Sequence, residues 1–258
     1  MLKFSLAIFV FFCSLPGFAQ VEKIDTDRPD QTESPYIVPR KWMQFEMGFL
    51  RERDKLSGGY RSTYFEYPTL LTKYGLGKRV ELRLITGLAS SSEEAANGTF
   101  TVSGLHNVQL GGKVNIAREK KMMPMISLIA HYDFARLRKW YRDSVDGVNF
   151  RFTIQKTLTP LVALGLNLGM EWERFGSPPA YIYTFAPGFN ISEKWYAYIE
   201  AFGSIWKYES PENGIDGGIA YYISNDLKID LSAGFGISKK APDSYIAIGA
   251  SFRFKTGK

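Results

Sequence analysis

From Trp42 onward the chain repeats one theme: short segments in which apolar and polar residues alternate, separated by turn residues. A period of two is the signature of β-strands, because successive side chains point to opposite faces. The pattern predicts strands at Trp42 to about Leu50, Tyr60–Tyr74, Val80–Leu88, Val108–Ala117, Met125–Phe134 and Val148–Gln155. Six more follow at Leu161–Trp172, Tyr181–Asn190, Trp195–Gly203, Gly214–Tyr222, Leu227–Phe235 and Ser244–Phe254. In the last, Ile246, Ile248, Ala250, Phe252 and Phe254 alternate with Ala247, Gly249, Ser251 and Arg253. The predicted connections also alternate. Those at 51–59, 89–104 and 135–147 are long and polar, whereas those at 75–79, 156–160, 191–194 and 223–226 are short.

About twelve antiparallel strands, an even number, most of them with the roughly 9–11 residues that cross a bilayer at a tilt, predict a transmembrane β-barrel. Long connections outside and short ones on the periplasmic side fit the same architecture. The polar faces decide between lipid and water. They carry Glu46, Glu81, Arg83, Lys113, Arg151, Glu171, Glu200, Asp216, Asp230 and Arg253. A closed sheet of this size is too wide for apolar side chains to fill. The apolar face therefore points outward into hydrocarbon, and these ten residues are expected to line the pore. A two-sheet soluble sandwich is the competing architecture. Trp42, Tyr74, Trp172, Tyr181, Trp195, Tyr221 and Tyr222, near strand ends, are candidates for an aromatic belt at the membrane surface.

The chain upstream is different. Lys3, an apolar run from Leu6 to Phe12 and small residues ending at Ala19 form a secretory signal, with residues 1–19 removed on export. The single cysteine, Cys13, lies in that segment, so the exported chain is expected to have no disulfide and no thiol chemistry. Residues 20–40 form a polar leader punctuated by Pro29, Pro35 and Pro39, and the barrel occupies 41–258. Asp25, Asp27, Arg28, Asp30 and Glu33 crowd this leader. They read equally as a plug that pairs with barrel cations and as a solvated extension; a weak calcium-type oxygen site is the third reading.

The formal charge of +6 is scattered along an exported chain, which argues against nucleic acid as a partner. Acidic residues outnumber basic ones on the polar faces, so an open lumen would favour cations or polar neutral solutes. A closed lumen, filled by a charge ladder, is the other possibility. Ser127, His131 and Asp133 share one strand face, but four residues of strand separate Ser127 from His131 by about 13 Å. That is too far for a nucleophile and its base. No zinc, P-loop or dinucleotide signature is present, so neither an enzyme nor a cofactor is expected. The segment with Arg136, Arg138, Lys139, Trp140, Tyr141 and Arg142 reads as a contact to lipopolysaccharide or as a solvated loop.

The leader "DTDRPDQTES" at Asp25–Ser34, followed by "VPRKWMQFEMGF", resembles the opening of the family labelled "putative MetA-pathway of phenol degradation". Further likenesses are "PTLLTKYGLGKRVELRL" at Pro68–Leu84, "GLHNVQLGGKV" at Gly104–Val114, "GIDGGIAYYISNDLKIDLSAGFGIS" at Gly214–Ser238 and "GASFRF" at Gly249–Phe254. Lys73 departs from the arginine expected before "YGL", keeping charge but not bidentate geometry. The resemblance implies a Gram-negative outer-membrane barrel that transports a small solute, aromatic by the family's label, amid outer-membrane lipid and lipopolysaccharide. It names no proven substrate. A closed barrel that binds lipid or a partner, and a lipid-modifying enzyme, are the alternatives. The oligomeric state is not legible.

Overall fold

The computed structural model describes residues 23–95, 97–135 and 145–257. The expected signal segment and the basic aromatic segment 136–144 lie outside the described residues. Twelve strands close into one antiparallel barrel, each paired with its sequence neighbours and the first with the last. They are β1 (Trp42–Lys55), β2 (Arg61–Gly75), β3 (Val80–Ala95), β4 (Gly98–Ala117), β5 (Met125–Asp133) and β6 (Gly147–Thr157). The remainder are β7 (Val162–Trp172), β8 (Ala180–Asn190), β9 (Trp195–Ile205), β10 (Glu212–Ser224), β11 (Leu227–Gly236) and β12 (Ser244–Lys255). Closure removes every sheet edge, as a bilayer demands of a spanning sheet. The soluble sandwich is thereby excluded.

The polarity is inside-out. Glu81 and Arg83 on β3 are buried while Leu82 and Leu84 between them are exposed. On β11, Lys228, Asp230 and Ser232 are buried while Ile229 and Leu231 are exposed. Exposed apolar side chains continue around the wall through Leu110, Phe152, Ile199, Ile219 and Ile248. A water-soluble monomer does not carry an unbroken apolar girdle of this kind.

Two expectations change. The segments 51–59 and 89–104 are not mainly loops: β1 and β3 run on to Lys55 and Ala95, and β4 begins at Gly98. The 20 residues of β4 greatly exceed the roughly 9–11 needed for a bilayer. The β1–β4 side thus stands up as tall hairpins beyond the apolar girdle. Polar residues alternate there on both faces, so the hydrophobic period vanishes while the ladder hydrogen bonds continue. The second change concerns the aromatic belt. Tyr221 lies on the same face as exposed Ile219, but Tyr222, one residue on, takes the opposite face and lines a lumen cavity. Trp42 shares the inward parity of Gln44, and the Arg253 guanidinium lies 5.1 Å from its ring centroid. Adjacent residues on a strand cannot both face lipid.

Candidate functional site: the occupied lumen

The barrel interior is not an empty tube: residues 23–40 lie in it. A Pro-punctuated segment forms no ladder of its own, so its backbone polar groups need partners elsewhere, and the polar wall supplies them. Ile24 donates its backbone N–H to Asn225 O at 2.7 Å, and Val38 donates to Glu81 at 2.8 Å. Between these points Asn167 clasps Glu33, accepting its N–H at 2.7 Å and donating to its carbonyl at 3.0 Å. Ser127 donates its hydroxyl to Pro35 O at 2.5 Å.

Asp27 is the centre of the arrangement. Lys73 and Arg83 approach its Oδ2 at 2.8 and 2.7 Å, and Lys113 lies 3.2 Å from its Oδ1. The Ser34 N–H also donates to Oδ1 at 2.9 Å, so the leader folds back around its own carboxylate. Burial alone would raise the Asp27 pKa, but Lys113, Lys73 and Arg83 outweigh it and hold the group well below the usual carboxylate range. Glu46 accepts the backbone N–H groups of Asp27 and Arg28 at 2.9 and 3.2 Å and also pairs with Lys73. Arg83 reaches further, to Glu33 at 2.8 Å and Glu81 at 3.1 Å, and its Nε donates to His131 at 3.0 Å. Burial likewise opposes ionisation of Glu33, and Arg83 and Arg151 reverse the outcome.

The opposite wall is acidic. Glu200 on β9 stands directly across from Asp216 on β10. Both are buried, and among the described residues neither forms an ion pair. Glu200 accepts the Gln31 N–H at 2.7 Å and pairs with the Thr32 hydroxyl, which also meets Thr184 at 2.6 Å. Tyr245 donates to Asp216. Asp30 faces this wall, and burial followed by the charge on Glu200 pushes its carboxyl well above the ordinary value. Arg28 balances part of the negative charge: it binds Asp230 at 3.0 Å. Its guanidinium lies against Gly48 and Gly249, which face each other across the β1–β12 seam. A methyl group at either glycine would overlap it. Lys228 donates to the Arg28 carbonyl at 2.6 Å.

All ten residues expected to line a pore face inward, but they do not form one site. Glu46, Glu81, Arg83 and Lys113 converge on Asp27. Glu200 and Asp230 hold the leader from the other side, with Asp216 beside Glu200. Arg151 lies 3.6 Å from Glu33. Glu171 is remote from the leader, and Arg253 binds Asp226 at 2.8 Å near the β10–β11 turn. Several leader partners were not singled out from sequence. Lys228 shares the parity of Asp230 and was findable on that ground. Lys73 was obscured because β2 carries a register shift between Glu66 and Thr69, which breaks parity counting. Gln44, Asn167 and Thr184 carry no charge to draw attention.

Among the described residues no group of three or more His, Cys, Asp or Glu is arranged to hold a metal ion. Three of the four leader carboxylates that a cation would need, Asp25, Asp27 and Glu33, are directed to Ser34, Lys73, Arg83, Lys113 and Arg151. Ser127 and His131 likewise have other partners, Pro35 for the one, Arg83 and Asn149 for the other. A cavity of ≈ 230 Å³ persists between the leader and β6–β11, lined by Asp25, Asp30, Tyr36, Tyr196, Tyr222 and Lys228 among others. Burial raises the Asp25 carboxyl to about 6, against the opposing pull of the Ser34 hydroxyl and Lys73.

Residues 26–254 match the family described as "Putative MetA-pathway of phenol degradation". No curated protein matches the sequence significantly. An outer-membrane channel from Pseudomonas putida F1 has a similar structure, with a TM-score of 0.71 at 10% identity over 86% of this chain and 98% of that one. The translocator domain of the autotransporter NalP from Neisseria meningitidis gives 0.54 at 10% identity, covering 84% of this chain and 90% of that one. The NanC porin gives 0.53 at 9% identity, covering 81% of this chain and 98% of that one. A channel, an autotransporter's translocator domain and a porin share this fold, so the barrel by itself fixes no activity.

Proposed function

For a chain that belongs to the family described as "Putative MetA-pathway of phenol degradation", we propose an outer-membrane channel for small polar or aromatic solutes, with its N-terminal leader as the gate. The observation that carries this is the nature of the lumen filling. The barrel is occupied by a separate segment joined to it through ion pairs and hydrogen bonds. Those contacts are ones that water and solute can replace, whereas an apolar core cannot be withdrawn from a barrel without a large hydrophobic cost.

Docked, the leader leaves the cavity beside Tyr196 and Tyr222, where ring faces and Lys228 offer contacts to a small aromatic bearing a polar group. Displaced, it leaves a charged, water-filled passage of the kind that sets selectivity in pores. Conduction would proceed by diffusion past Glu46, Glu81, Arg83, Lys113, Glu200, Asp216 and Asp230. Signal removal near Ala19 leaves the leader free to enter from the periplasmic side.

The test is single-channel recording in planar bilayers on the mature chain and on a variant lacking residues 23–40. The full chain is expected to show low conductance with brief openings, and the truncated one large, steady steps. A truncated barrel that is folded, judged by its heat-modifiable migration and β-sheet circular dichroism, yet silent, rules out the channel reading. It would leave a closed scaffold, for which the filled lumen of the docked state is the supporting observation. Lipid analysis with and without the protein addresses the lipid-modifying alternative; a changed acyl profile would support it.

A further inference from the structure

The outward extension of β1 carries the sequence Arg51-Glu52-Arg53-Asp54-Lys55, in which basic and acidic residues alternate without exception. As a loop this would be a solvated mixture of charges. As a strand, which it is, the alternation sorts the charges: Arg51, Arg53 and Lys55 take the outer face, in line with Met47 and Phe49 below them, and Glu52 and Asp54 take the inner. The β1–β2 register sets Arg51 beside Phe65, Arg53 beside Thr63 and Lys55 beside Arg61. Three cations thus stand in a column on the outer face of β1, about 7 Å apart along the strand, and Arg61 stands beside the uppermost of them on β2, about 5 Å across. They begin where the apolar girdle ends.

We propose that this patch is a docking site for the phosphate groups of an outer-leaflet glycolipid of the lipopolysaccharide type. Three observations support it. The four side chains are exposed, and although the β2–β3 register sets Glu94 opposite Arg61, among the described residues Arg51, Arg53 and Arg61 meet no carboxylate at ion-pair distance. Lys55 has only Asp243, at 3.9 Å. They line a recess of ≈ 440 Å³ together with the hydroxyl-bearing Ser62, Thr63 and Ser244 and with Asp54, Glu94 and Asp243, so the four cations outnumber the acids there by one. That set of cationic forks and hydroxyl donors suits phosphate oxygens. Finally, the same β1 face is apolar immediately beneath, at Met47 and Phe49, with Phe65 stacked under the Arg51 guanidinium at 5.3 Å. A ligand with phosphate above and acyl chains below matches that order; a soluble anion uses only its upper half. The site rests on the outer-membrane orientation proposed above but not on conduction.

Native mass spectrometry of the mature protein, incubated with bisphosphorylated lipid A in detergent, tests it against the triple variant Arg51→Gln, Arg53→Gln, Arg61→Gln. These are exposed residues outside the lumen, so folding and conductance are expected to stay unchanged. The wild-type protein is expected to retain the lipid, and the variant to bind it roughly 100-fold more weakly. Dephosphorylated lipid is expected to bind as weakly as the variant binds the intact one, and inorganic phosphate is expected not to displace bound lipid. Equal binding by the variant, equal binding of the dephosphorylated lipid, or displacement by phosphate alone would each overturn the assignment. A silent channel that still retains lipid A would sink the channel reading and leave this one standing.

Discussion

Asp27 and Asp30 are three residues apart in one leader, yet the two sides of the barrel treat them in opposite ways. On the β2–β4 side Lys73, Arg83 and Lys113 surround Asp27 and favour its charge. On the β9–β11 side Glu200 and its neighbour Asp216 oppose the charge on Asp30. The leader is thus held by one wall and repelled at Asp30 by the other. Ion pairs anchor it on the basic side. On the acidic side it is retained by hydrogen bonds that the Gln31 N–H and the Thr32 hydroxyl donate to Glu200, and by Arg28, which bridges to Asp230. A segment held this unevenly is expected to release first from the acidic side, pivoting about Asp27.

The most direct way to break the comparison is Asp27→Ala. It removes the partner that Lys73, Arg83 and Lys113 share, leaving them to Glu46, Glu33 and Glu81, and breaking a buried pair in this way costs about 3–5 kcal/mol. The leader should undock, seen as a rise in open probability and as new protease cleavage within residues 23–40. An unchanged closed state would show that the basic wall is not the anchor. Gly249→Ala comes next. Its methyl displaces the Arg28 guanidinium from the seam and breaks the bond to Asp230, for about 1–3 kcal/mol of crowding. Openings should become more frequent while the barrel's denaturation in detergent scarcely moves.

Asp25 sharpens the comparison through pH. Its carboxyl is raised from 3.8 to about 6, so the docked leader prefers the protonated form. That contribution is complete below pH 3.8 and is lost as the pH rises through about 6, after which it is constant. Partial exposure of Asp25 to the cavity limits the effect to roughly 1–2 kcal/mol. Open probability should therefore climb across this window in the wild type and stay level in Asp25→Asn. Asp27 and Glu33, shifted the other way, should loosen the leader only on stronger acidification, and a single window common to all would contradict the two-sided picture.

The smallest effect has the opposite sign. Glu200→Gln keeps one oxygen to accept the Gln31 N–H and turns its NH2 to the Thr32 hydroxyl, which then accepts; it removes the like charge facing Asp216, a relief of at most about 1 kcal/mol. Closed dwell times should lengthen. Glu46→Gln, the matching change on the basic side, should shorten them because Lys73 loses a partner. If both variants shift in the same direction, the asymmetry is wrong.

The strand count, the closure and the outward apolar face were legible in the chain's own alternation, because a period of two is a local property that each segment displays on its own. The sequence also showed that the leader is polar, acidic and unable to form a strand. It misjudged where strands end above the membrane. At 51–55 and 89–95 both faces are polar, so hydrophobic contrast disappears although the hydrogen-bond ladder continues. It could not assign Trp42 and Tyr222 to the lumen without the register that fixes which parity faces in.

Where the leader goes and what meets it follow from the folded barrel alone. Asp27 lies 46 residues from Lys73, 56 from Arg83 and 86 from Lys113. Nothing local records such encounters, because barrel closure brings distant strands around a common interior. The glycine pair at Gly48 and Gly249 is of the same kind: two unremarkable residues nearly a chain length apart become a slot for Arg28 only when the first strand meets the last.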